Sequence, residues 1–104
     1  MNKLPALYDI LQLDPTNAFA RYGLAMEHIS QGHPDAALVE FANCFAHNPD
    51  YVPAYQMSAQ TLVTLGRTDE AIERLHAGIA AANRTGNQHA LAEMEAMREE
   101  LATR

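Results

Sequence analysis

Apolar side chains recur every three or four residues along almost the whole chain. Leu4, Leu7 and Leu11 are followed by Phe19, Tyr22, Met26 and Ile29, then by Leu38, Phe41, Ala42 and Phe45. Ala71, Ile72, Leu75 and Ile79 continue the series, and Leu91, Met94, Met97 and Leu101 close it. This spacing puts each set on one side of a helix. It predicts helices over residues 4–13, 17–31, 51–65 and 88–102, with two more opening at Pro34 and Thr68.

The residues between these runs are helix punctuation. Gly32 and Gly66 fall where a helix should stop, because the residue after a helix end is often left-handed and glycine adopts that conformation without a steric penalty. Pro34 and Pro53 fall in first turns, where the missing N–H costs nothing. Asp35, and Thr68 with Asp69 and Glu70, supply oxygen or negative charge near helix N-termini. Asn48-Pro49-Asp50 should stop one helix, with Asp50 as the N-cap of the next. Asn83-Arg84-Thr85-Gly86-Asn87 reads as a further break, and Thr85 with Gln88 three residues later reads as a capping box.

The punctuation repeats. A shift of 34 residues carries Pro15 onto Pro49, Ala20 onto Ala54, Ala25 onto Ala59, Gly32 onto Gly66, Asp35 onto Asp69, Ala37 onto Ala71 and Ala46 onto Ala80, with no gap. Bulky positions follow in type: Ile29 with Val63, Leu38 with Ile72, Phe41 with Leu75, Phe45 with Ile79. Each unit is helix, turn, helix. Small residues recur where paired helices must approach closely, and Cys44 and Gly78 are equivalent by the same shift. Cys44 is therefore expected to be a buried packing residue and not a nucleophile. Residues 4–13 with Asp14-Pro15 match the closing stretch of a unit, and residues 88–102, with Glu on the outer side, fit a solvating cap.

On this period and these residues the chain resembles the tetratricopeptide repeat family. The first unit supplies Leu24-Ala25, His28 where Tyr is usual, then Ala37, Phe41 and Pro49. The second supplies Tyr55, Ser58-Ala59, Leu62, Ala71, Leu75 and, in the place of Pro, Asn83. There is no Trp, and Arg21 fills its place in the first unit. The resemblance implies an all-α fold, a right-handed α-solenoid of stacked antiparallel helix hairpins. It implies a single domain over residues 1–104: a flanking helix in 1–15, repeats at 16–49 and 50–83, and a capping helix in 84–104.

The resemblance also implies a concave groove, lined by the first helix of each repeat, that takes a peptide or helix of a partner protein. The matching positions are Phe19, Tyr22, Gly23, Met26 and Ser30, then Pro53, Gln56, Met57, Gln60 and Thr64, with Ala90, Leu91 and Met94 from the last helix. A Lys/Arg/Asn clamp for acidic chaperone tails is absent, since its places hold Tyr22, Met26 and Met57. The expected ligand is a partly apolar segment, such as an amphipathic helix.

Composition narrows the alternatives. Of 104 residues, 48% are hydrophobic and 19% charged, which is a globular balance. The net charge of −6, with basic residues scattered singly, argues against nucleic acid and anionic membranes as partners. One cysteine cannot form an internal disulfide, and no apolar window approaches the roughly 18 residues of a membrane span, so a cytoplasmic location is expected. His28, His33, His47, His76 and His89 show no metal-ligand spacing, and His28 is expected to be half-buried with its hydrogen bonds satisfied. Adjacent carboxylates such as Asp69-Glu70 and Glu99-Glu100 do not face each other on a helix. No catalytic residue, metal or cofactor is expected. The competing reading is a self-associating scaffold, a homodimer formed through an open solenoid end by Leu4, Leu7 and Leu11.

Overall fold

The computed structural model describes residues 3–104; Met1 and Asn2 of the expected flank lie outside the described residues. The order is α1 (Leu4–Leu13), α2 (Ala18–Ser30), α3 (Pro34–His47), α4 (Val52–Thr64), α5 (Thr68–Thr85) and α6 (Gln88–Ala102). No strand occurs among the described residues. Contacts group the chain into two compact units, Met1–Pro49 and Asp50–Arg104, and the division falls where the second 34-residue repeat begins.

In the first unit α2 pairs with α3, and α1 packs on α2. Leu11, Ala20 and Leu24 form a buried cluster, with Leu4 and Leu7 packed against it. Arg21 and Glu40 tie the hairpin together at 3.2 Å. Asn43 also donates to Glu40, at 3.0 Å. Asn48 reaches back to the carbonyl of Thr16 at 2.9 Å, fastening the end of the hairpin to its start. Cys44 is fully buried, and its thiol donates to the Ala18 carbonyl at 3.5 Å.

In the second unit α5 lies against both α4 and α6. Tyr55, Leu62, Leu75, Gly78 and Met94 are buried there. Gly78 marks a close approach: a Cβ at this position would stand 2.7 Å from both the Tyr55 Cβ and the Met94 Sδ.

Helix ends follow the punctuation with three differences. Tyr51, not Asp50, is the N-cap of α4 and makes no side-chain cap; Asp50 instead accepts from Arg84 at 2.9 Å. Arg67 is the N-cap of α5, and its guanidinium holds Glu70. The expected capping box at Thr85 does not form. Nothing in Asn83-Arg84-Thr85 forces a helix to stop, so α5 runs on to Gly86, at φ 71°, and the Thr85 hydroxyl donates back to the Ala81 carbonyl at 3.0 Å. Asn87 caps α6 instead, accepting from the Ala90 N–H at 3.1 Å, as Asn17 caps α2 from Ala20 at 2.8 Å.

Candidate protein-interaction site

The residues expected to line a groove separate into surface and core. On α2, Phe19 is 70% exposed, Ser30 is exposed, and Gly23 and Met26 are half-buried. These four share an open cavity of about 530 Å³ with Lys3 and Leu7 of the α1 segment and with Glu27. Phe19, Met26 and Ser30 recur at helical spacing, so α2 turns one continuous side toward this cavity. Leu7 forms part of it because Gly23 has no side chain: a Cβ there would meet the Leu7 Cδ2 at 3.0 Å. Tyr22 is turned away. It is half-buried, with its ring 6.0 Å from that of Phe41 and tilted by 55°, and burial raises its phenol pKa.

In the second unit Gln60 borders a smaller cavity of about 150 Å³, with Val63 of α4 and Met97, Glu100, Leu101 and Arg104 at the end of the chain. Arg104 bridges to Glu100 at 2.9 Å on its rim. Gln56 and Met57 are half-buried, and Pro53 and Thr64 are exposed, with the Thr64 hydroxyl donating to the Gln60 carbonyl at 3.1 Å. Met94 is a correction. It is fully buried, with its sulfur in the space left open by Gly78, and offers no surface to a ligand. Ala90 is buried as well, while Leu91 is half-buried.

Sequence reasoning missed Lys3, Leu7 and Glu27 in the first unit and Val63, Met97 and Leu101 in the second as cavity residues. Met97 and Leu101 stand one turn apart on the apolar side of α6, so the signal was present, but it does not distinguish a covered stripe from a lining one. Leu4, Leu7 and Leu11, expected to self-associate, turn toward α2: Leu11 belongs to the first unit's core, Leu4 and Leu7 pack against it, and Leu7 also borders the cavity.

The His28 ring is half-buried, and its Nδ1 has no hydrogen-bond partner, contrary to the expectation of a satisfied histidine. It stands edge-on to His33 with ring centres 6.5 Å apart. Among the described residues no group of three or more His, Cys, Asp or Glu side chains converges as a metal site would require. No helix there is long and apolar enough to cross a membrane.

Paired helices repeating every 34 residues define a helical-repeat protein of the α-solenoid class. The tetratricopeptide repeat profile matches residues 28–94. The solution structure of a tetratricopeptide repeat domain protein from Salinibacter ruber is 34% identical, with a TM-score of 0.80 over 85% of this chain and 89% of that one. The chain belongs to the tetratricopeptide repeat family. PcrH in complex with the chaperone binding region of PopD superposes with a TM-score of 0.85 at 20% identity, covering 93% of this chain and 74% of that one. The type III secretion translocator chaperone SycD of Yersinia enterocolitica gives 0.83 at 16%, covering 93% and 68%. Those two likenesses concern the fold. None of the curated proteins matches the chain significantly.

Proposed function

We propose that this protein is a non-catalytic interaction module that holds an apolar segment of a partner protein against the exposed side of α2. The observation that carries this reading is the cavity of about 530 Å³ beside α2, where Phe19, Met26 and Leu7 present apolar surface and Lys3 and Glu27 stand as one charge of each sign. A flexible thioether and a ring on a rigid helix suit an apolar anchor of a peptide. The opposed charges orient it without favouring a strongly acidic or basic ligand. The second unit has, by itself, a smaller recess at Gln60, Met97 and Leu101. PcrH, which shares the fold, is seen with a chaperone binding region of another protein. A segment of that kind is the ligand class proposed here, with residues 1–104 acting as one binding module.

The test starts with cross-linking of the full chain in its native host, identification of the linked segment, and titration of that segment as a synthetic peptide. Phe19→Glu/Met26→Glu should weaken binding at least about tenfold, because burying a charge in an apolar site is costly. The unfolding midpoint should hold, since Phe19 is largely exposed and Met26 partly so. Equal affinity of variant and wild type would remove α2 as the binding surface.

A further inference from the structure

The sulfur atoms of the described residues divide into two sets. Cys44 and Met94 are fully buried. The Cys44 thiol donates to the Ala18 carbonyl at 3.5 Å, and burial, which pushes its pKa up to about 11, keeps the reactive thiolate scarce at neutral pH. The Met94 Sδ would meet a Cβ at Gly78 at 2.7 Å, so it lies directly against the backbone of α5. Met26, Met57 and Met97 are only half-buried. Met26 borders the open cavity beside α2, and Met97 borders the smaller recess of the second unit.

Position decides what an oxidant does to each sulfur. A thioether within reach of a hydroperoxide takes up its outer oxygen. The O–O bond breaks, an S–O bond forms, the sulfur gives up two electrons, and hydrogen peroxide leaves as water. The product is a sulfoxide, a polar group that accepts hydrogen bonds. In the core at Met94 it would have no donor to meet it and would cost stability. On the edge of the α2 cavity it meets water, so the helix has no reason to unfold. What changes there is the apolar surface that Met26 shares with Leu7 and Phe19.

We propose that Met26 is a redox-sensitive modification site: a peroxide converts it to the sulfoxide, which makes the α2 cavity polar and releases an apolar ligand while the fold persists, given the reading of that cavity as the binding surface. The closed sulfurs let the fold outlast the oxidant, and the open thioether registers it. The change is reversible. Methionine sulfoxide reductases, one for each epimer, return the thioether as the oxygen leaves in water and two thiols become a disulfide.

The full chain is treated with dilute hydrogen peroxide, and oxygen uptake is located by mass spectrometry of its peptides. Met26, Met57 and Met97 should oxidise at least about tenfold faster than Met94 and Cys44, with helix content unchanged by circular dichroism. The probe for the cavity is the neutral apolar dye Nile red. Phe19→Glu should weaken its binding to the reduced protein. Oxidation of wild type should weaken it at least about fivefold, and both reductases with dithiothreitol should restore it. Met57→Leu/Met97→Leu should still respond to peroxide. Met26→Leu should not, because leucine keeps the apolar surface without an oxidisable sulfur. Met94 oxidising as fast as Met26, or helix lost on oxidation, overturns the proposal. An oxidised Met26 with dye affinity unchanged overturns it too; where Phe19→Glu has nonetheless lost the dye, α2 stands as the apolar surface and the switch alone falls. Dye held by Phe19→Glu as tightly as by wild type removes α2 as that surface, and the switch with it.

Discussion

Cys44 shows what burial does to a reactive side chain. Its surroundings push the thiol pKa up to about 11, because a thiolate there would lose its hydration. At neutral pH the nucleophilic form is scarce and the sulfur is covered. Iodoacetamide should therefore modify folded protein at least about a hundredfold more slowly than protein unfolded in guanidinium. The same shift has a thermodynamic consequence. An unfolded cysteine gives up its proton near pH 8.5, roughly, whereas the folded one keeps it to about pH 11, so the folded state binds the extra proton in between. Stability should fall as pH rises through that window. Tyr22, raised by burial and then by the charge of Cys44, and Tyr55, raised chiefly by burial, act with the same sign. Urea midpoints that stay level from about pH 8 to about pH 11 would contradict the linkage. That Cys44 is a packing residue was legible from its equivalence to Gly78. The bare Nδ1 of His28 was not, because a half-buried position alone does not say which neighbours can donate or accept.

The helices themselves were largely legible, since apolar spacing and glycine stops are local signals. What differed was the end of α5 and the caps at Tyr51 and Asn87, where several polar residues compete for one role. Helix pairing depends on how closely two elements approach, and the two helical glycines separate the cases. At Gly78 an added methyl meets the Tyr55 Cβ at 2.7 Å, an atom fixed to the α4 backbone. At Gly23 it meets the end of the flexible Leu7 side chain at 3.0 Å. Gly78→Ala should destabilise by about 1–3 kcal/mol through overpacking, despite the gain in helix propensity. Gly23→Ala should be neutral or stabilising by up to about 1 kcal/mol. Equal effects of the two in chemical denaturation would mean that α4 and α5 can move apart, contrary to a tightly seated pair.

Across the whole molecule the repeat acts as a template whose slots are filled differently. Arg21 and Glu40 form a largely buried ion pair in the first repeat, and the same two slots hold Tyr55 and Arg74 in the second. There burial is the first cause lowering the Arg74 pKa, and Tyr55 lies within electrostatic reach. If the slots are physically equivalent, Arg21→Tyr alone should cost about 1–3 kcal/mol by leaving Glu40 poorly compensated. Arg21→Tyr/Glu40→Arg should recover at least about 1 kcal/mol of that loss in a double-mutant cycle. Additive losses would show that the slots match in position but not in environment.

The period of 34, the helix spans and the family could be read from one dimension, because each follows from which residues stand three, four or thirty-four places apart. Burial could not. Met94 and Met97 look alike along the chain, yet one fills the gap above Gly78 and the other borders a cavity. On α1, Leu11 is taken into the first unit's core while Leu13 is left in water. Spacing tells which side of a helix is apolar; only the arrival of a neighbouring helix decides which apolar side is covered and which remains free to bind.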